Sequence, residues 1–419
     1  MIQSTPTVIG LRKSFGFGDR LGLATPGHVA ACRKTDFLPI LAQQSIREMG
    51  RTGRTPEDVM ADARRAVMRT ALKREWGADA DHLKTEDDVR KTAAAGFTFF
   101  TFDPSDHVIN QADTMAPEEL AGGEKALIAE GVFEGSSLRD LYLDRSFEVD
   151  NGFTLTFDEA SLLRAAVKYG RAVRHCARLA ATLKEAAGDR PYEIEMSVDE
   201  SEVPTTPLEH LFVARELKRR GVEFISLAPR FIGDFEKAVD YRGDVAAFEA
   251  SIKQHVAIAQ FCGPYKLSLH SGSDKFSVYP IFGRLCGEML HVKTAGTSYL
   301  EALRVVVRTD RPFFRELVDY CRGRFAEDRA SYHLSTTQAD VERLAGVADD
   351  DLERMFLDLN EGRQLMHVTY GSVLTQGKDA KGRPFRDRLM EILDRHAEMH
   401  LDFIERHFDK HLGLLIAED

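Results

Sequence analysis

The chain has 419 residues, 43% of them hydrophobic and 29% charged, and its 67 acidic side chains against 56 basic ones leave a formal net charge of −11. That composition supports a packed core and excludes a disordered, collagen-like or disulfide-stapled chain. The acidic balance argues against a general nucleic-acid binder, and no stretch is long and apolar enough for a membrane-spanning helix.

Eight short apolar runs predict strands, at residues 21–25, 38–43, 97–103, 193–198, 223–228, 266–270, 290–295 and 331–335. Helical periodicity lies between them. It is clearest over 162–187, with Gly188 just beyond, and over 208–220, which follows Pro207 and meets Gly221. Strands alternating with helices predict an α/β fold, a (β/α)8 TIM-like barrel, with a doubly wound open sheet as the alternative. One catalytic barrel domain is expected over residues 1–419. Insertions are expected near 47–95, charged and helix-rich, and near 117–150, acidic and loop-like, with a helical tail over 386–415. The first residues lack an apolar run with a small-residue cleavage site, so a cytoplasmic protein is expected. Cys32, Cys176, Cys262, Cys286 and Cys321 are odd in number and lack C-x-x-C spacing, so free thiols are expected.

In a barrel the chemistry sits at the C-terminal strand ends. Gly16, Gly18 and Gly22 depart from G-x-G-x-x-G spacing, so no NAD site is expected. Asp103, Asp106 and His107 follow the third run, either as cation ligands or as an Asx turn with a surface histidine. Glu193, Glu195 and Ser197 share one strand face. Turned inward, the carboxylates need a cation or salt-bridged basic partners. Arg230, after the fifth run, is a candidate anion clamp. Lys266, Ser268 and His270 share a polar face opposite Leu267 and Leu269, and His270 precedes a Ser-Gly-Ser loop. His291 and Lys293 also share a face. The lysine could bind a substrate anion, form a Schiff base, or pair with Glu193 or Glu195. His333 is a further imidazole, while His396, His400, His407 and His411 in the tail read as a solvated helix face.

The string Ser14-Phe15-Gly16-Phe17-Gly18-Asp19-Arg20-Leu21-Gly22-Leu23-Ala24-Thr25-Pro26-Gly27-His28 resembles the N-terminal signature of the bacterial tagaturonate epimerase family. So do residues 43–49 with 52–56 after them, and the blocks 266–275 and 291–299. The resemblance implies a metal-dependent barrel enzyme interconverting D-tagaturonate and D-fructuronate in hexuronate breakdown. The two acids differ at a carbinol carbon β to the ketone, whose hydrogen is not acidified by the carbonyl. Retro-aldol cleavage and re-addition solves that problem, and it needs a Lewis acid and a proton acceptor. Transient nicotinamide oxidation is the other route.

On this basis His107, His270 and His291 are expected to bind a divalent metal such as zinc, manganese or nickel, with His333 as first substitute. Asp106 and Glu195 are expected to act as the acid/base pair. Lys293 and Arg230, and more weakly Lys266, are expected to bind the substrate. A small sugar acid is the expected partner, with no nucleic acid or membrane; a homo-oligomer is left open. A metal-dependent aldolase or aldose–ketose isomerase, and a non-catalytic sugar-acid-binding protein, are the alternatives.

Overall fold

The computed structural model describes residues 2–294 and 296–416. Among these residues eleven strands form: β1 (Ser14–Phe17), β2 (Leu38–Ile40), β3 (Gln44–Ser45), β4 (Asp79–Leu83), β5 (Phe99–Phe102), β6 (Ser146–Asp150), β7 (Phe153–Thr156), β8 (Glu193–Ser197), β9 (Ser226–Ala228), β10 (Lys266–Leu269) and β11 (Leu290–Thr294). β6 and β7 pair antiparallel as a separate two-stranded ribbon. The other nine are all parallel, in the order β2-β1-β11-β10-β9-β8-β5-β4-β3.

Nearly every residue of these nine strands is buried, as expected for parallel strands covered on both faces. The sheet is strongly curled. Its end strands β2 and β3 are separated only by residues 41–43. Gly77, just before β4, donates its N–H to the Pro39 carbonyl and accepts from Leu41 N–H. One side of the sheet is apolar and packs on helices. The other carries Asp79, Asp81, Glu193, Glu195, Lys266, His291 and Lys293, all buried.

The covering helices begin at local signals in the sequence. Asp158 caps Glu159–Ala187, Asp244 caps Val245–Cys262, and Thr206 with Glu209 makes a reciprocal capping box for Pro207–Arg219. A second apolar core, including Leu300, Phe314, Leu317, Phe356 and Leu365, joins the helices that follow β11.

Six expected strand runs overlap β2, β5 and β8–β11; Ala295, the expected end of one, lies outside the described residues. Residues 21–25 are not a strand. The buried Asp19 carboxylate accepts the N–H groups of Leu21, Gly22, Leu23, Ala24 and Thr25, wrapping the chain around itself. Residues 331–335 are not a strand either: Ser335 donates its N–H and hydroxyl to Glu236. Span 47–95 is no insertion, because it contains β4 between Pro56–Thr70 and Glu86–Ala95. Span 117–150 is not loop-like: it holds helices Pro117–Ala129 and Ser137–Tyr142 and β6.

The tail forms helices Phe385–Arg395 and Ala397–Leu415, and the latter packs along Thr25–Cys32. Its histidine row is therefore not solvated: His400 and His411 are buried. Asp274, His407 and His411 lie close enough to suggest a cation site. However, His411 Nε2 accepts the Asp274 N–H at 3.0 Å and its Nδ1 meets the His407 carbonyl at 2.8 Å, while Arg363 holds the Asp274 carboxylate at 2.6 Å. These groups are a clasp between the tail and the loop after β10.

Helices Pro207–Arg219 and Val245–Cys262 meet at a buried pair, His210 Nδ1 to His255 Nδ1 at 2.9 Å, with the Tyr265 hydroxyl 2.8 Å from His210 Nε2. Burial pulls His255 down to about 4. Its unfolded counterpart takes a proton near 6.5, so its contribution is complete above that pH and is lost as pH falls toward 4. Denaturant titrations at pH 7, 6 and 5 should give His255→Gln an acid slope shallower than wild type by up to about 1.4 kcal/mol per pH unit. Parallel slopes would refute a neutral His255.

Candidate active site

Alternation along β4, β8 and β11 brings Asp79, Asp81, Glu195 and Lys293 to the inner face of one curled sheet. The Lys293 ammonium lies 2.6 Å from Asp79, 2.9 Å from Asp81 and 2.9 Å from Glu195, and it also donates to the Thr101 hydroxyl. Glu195 accepts from Ser226 at 2.5 Å and from Thr101 at 3.1 Å, and His270 Nε2 is 2.7 Å away. His270 Nδ1 faces Ser197 at 3.2 Å and Asp199 at 3.3 Å. His82, at the upper end of β4, has a left-handed backbone (φ 50°) and places Nδ1 3.3 Å from Asp103. The His82 and His270 rings stand edge to face, 5.2 Å apart.

Burial and pairing oppose each other throughout. Burial would raise Asp81, but His82, Lys293 and His270 outweigh it and hold the carboxyl well below its usual range. Glu195 is held low in the same way by Lys293 and His270. For Asp79 burial wins, and the group rises to about 7. Burial disfavours the His270 cation, yet Asp199 and Glu195 raise it to about 9; Asp81 and Asp103 likewise raise His82.

Three carboxylates thus face Lys293, while Asp103 and Asp199 face His82 and His270, which keep protons. The crowding of carboxylates favours a divalent cation, which would take the imidazole nitrogens as their protons leave. Asp81, His82 and His270 each offer a ligand atom, all within 4.8 Å of one another, and could hold such an ion.

Above this network is a narrow cavity lined by Arg20, Gln43, Asp81, His82, Lys237 and His270, among others. It shares Arg47, Lys237, His270 and Tyr332 with a wider outer chamber of about 570 Å³. Arg20 is held by Glu48 (2.8 and 3.0 Å) and lies 3.5 Å over the Tyr370 ring.

Of the expected residues, His270, Glu195 and Lys293 come together, and Lys293 takes the ion-pair option. Arg230 lines the outer chamber. The trio His107, His270 and His291 does not converge. His107 lies on a turn beyond β5, off the cleft, with its ring 4.1 Å from that of His175 on helix Glu159–Ala187. His291 is two residues before Lys293 on the same face, deeper in the sheet, with Nδ1 3.0 Å from the Ser14 hydroxyl. Asp106 is 69% exposed and pairs with Lys84 at 2.9 Å. Lys266 donates to Ser14 at 2.9 Å, and Glu193 accepts from Gly10 N–H, both below the network. His333 is 82% exposed at the outer rim, 4.0 Å from Asp234.

Sequence reasoning missed Asp79, Asp81, His82 and Lys237. Asp79-Ala80-Asp81-His82 repeats the alternating acidic pattern of Glu193-Ile194-Glu195. It went unread because strongly helical neighbours hid a five-residue strand.

Reactive side chains at the C-terminal ends of parallel strands, beneath an open cleft, define an α/β enzyme. The model of the tagaturonate epimerase family, UxaE, matches residues 1–415. The tagaturonate/fructuronate epimerase of Thermotoga maritima is 46% identical over 410 residues, spanning 98% of this chain and 82% of that protein. Two crystal structures of the fructuronate-tagaturonate epimerase UxaE from Cohnella laeviribosi, one native and one with glycerol, superpose with a TM-score of 0.92. They are 40% identical and cover 98% of this chain and 83% of theirs. The chain belongs to the tagaturonate epimerase family, and it is an isomerase of the epimerase type.

Removing one partner from a buried charge cluster leaves the other uncompensated and costs about 3–5 kcal/mol. Glu195→Gln should lose that much in equilibrium urea unfolding. A loss below about 1 kcal/mol would mean that Glu195 is not bound between Lys293 and His270.

Proposed function

We propose that this enzyme interconverts D-tagaturonate and D-fructuronate in the cytoplasm, by retro-aldol cleavage and re-addition at the carbinol carbon β to the ketone. The same proposal takes β2 and β3 as two halves of one strand. The order then runs through eight parallel strands back to β1, a closed (β/α)8 barrel with its cleft at the C-terminal end. The observation that carries the chemistry is the pair of imidazoles, His82 and His270, set among carboxylates at the foot of the cleft. The activity named for the Thermotoga maritima relative agrees with it.

In ketose numbering the acids differ at C4. Loss of the C4 hydroxyl proton and cleavage of the C3–C4 bond give a C4–C6 aldehyde acid and a C1–C3 enediolate. Rotation of the aldehyde by half a turn presents its other face. Re-formation of the bond and return of the proton to the oxygen complete the inversion. Asp81 takes and returns that proton, in place of the exposed Asp106: it lines the cavity, it is ionised, and Lys293 holds its Oδ1. Glu195 lies beneath the cavity floor and positions His270 and Lys293 rather than meeting the substrate. His82 and His270 would hold a zinc, manganese or nickel ion with Asp81 beside them, and such an ion, when bound, supplies Lewis acidity toward the ketone oxygen.

Chelator dialysis should abolish turnover of tagaturonate, and one of the three cations should restore it. Asp81→Asn in the reloaded enzyme should lower kcat roughly 10²–10⁴-fold. In D2O, NMR should find no deuterium at C4 of the product. Deuterium at C4, full activity after chelation, or three-carbon fragments as the net product would each overturn the proposal.

A further inference from the structure

We propose that Lys237, with the Ser271 hydroxyl, is the anchor for the substrate carboxylate and the source of selectivity for sugar acids over neutral sugars. This assignment rests on the reading of the cleft as a ketohexuronate site.

Among the described residues, three of the four lysine and arginine side chains lining the inner cavity are already matched by carboxylates. Arg20 pairs with Glu48 at 2.8 Å, Arg47 with Glu200 at 3.1 Å, and Lys293 with Asp79, Asp81 and Glu195. Among the described residues Lys237 has no carboxylate partner, and its ammonium donates to Ser271 Oγ at 2.6 Å. A part-buried ammonium facing a cavity with one hydroxyl for company lacks the counter-charge that its partial desolvation calls for. A ketohexuronate brings one negative charge, its C6 carboxylate. The Ser271 oxygen accepts from Lys237 and keeps its own proton to give, so ammonium and hydroxyl together present two donors to that group.

The loop is built to hold this cation still. Buried Lys275 donates to the carbonyls of Glu236 (2.9 Å), Val239 (2.5 Å) and Ser273 (2.9 Å), tying the loop after β9 to the loop after β10. Arg363 Nε donates to the Ala238 carbonyl at 2.8 Å, and Gln364 donates to the Glu236 carboxylate at 2.7 Å. Lys237 is therefore fixed on both sides. Ser271 has a left-handed backbone (φ 49°), an uncommon conformation for a residue with a β-carbon, and it directly follows His270. The anchor is thus one residue from the imidazole of the reacting centre, and in the substrate only two carbon–carbon bonds separate the C6 carboxylate from C4.

The test uses Lys237→Met, which keeps chain length and removes charge, beside Arg230→Met. Calorimetry with D-galactonate, a six-carbon acid without the ketone, and with neutral galactitol measures recognition independently of turnover. Wild type should prefer galactonate, and Lys237→Met should lose roughly tenfold to a hundredfold of that preference, the scale of a charge-assisted hydrogen bond. The ratio of kcat/KM for tagaturonate to that for tagatose, its neutral counterpart, should fall by a similar factor. An unchanged melting temperature separates this loss from unfolding. Equal galactonate binding by wild type and Lys237→Met overturns the anchor, as does transfer of the whole effect to Arg230→Met. Selective galactonate binding without turnover of tagaturonate would leave the anchor standing while removing the epimerase reading.

Discussion

A lysine ammonium held inside a sheet by three carboxylates is the constraint around which this molecule is arranged. Lys293 can be buried only because Asp79, Asp81 and Glu195 meet it from β4 and β8, and those carboxylates can be buried only because it is there. Their excess negative charge passes outward to His270 and His82, which answer it with protons. The network therefore joins opposite parts of the curled sheet and at the same time sets the charge of the cleft floor. Apolar packing of equal volume would be at least as stable in general, so the cluster is explained by what it does rather than by what it adds to stability.

Rigidity at the rim comes from a second set of buried charges. Asp274 binds Arg363 and, through its N–H, His411; Lys275 satisfies three carbonyls from two loops. The tail helix and the helix Asn360–Val368 thereby brace the loops after β9 and β10, where His270, Ser271 and Lys237 stand. Cleft residues keep fixed positions although most of them lie on loops, which is the usual requirement of a preorganised site.

Much of the inner face was legible in the sequence. Glu195, His270 and Lys293 follow from strict alternation within runs whose other face is aliphatic. Asp81 and His82 follow the same rule but lie between two well-capped helices, and a five-residue strand carries too little periodicity to compete with them. The strand β1, with glycine between two phenylalanines, was masked by the glycine pattern around it. The tail histidines misled because spacing on a helix says which side chains share a face and nothing about what covers that face.

Sequence alone determined six strands of the large sheet, the polar and apolar faces of β8, β10 and β11, and the family, because these depend on local alternation and a long distinctive N-terminal string. Convergence was decided only by tertiary structure. Which imidazole meets which carboxylate depends on how the strands neighbour one another around the curl and on where loops turn. That is why His82 rather than His107 or His291 stands opposite His270, and why a lysine on a loop after β9 meets a serine on the loop after β10.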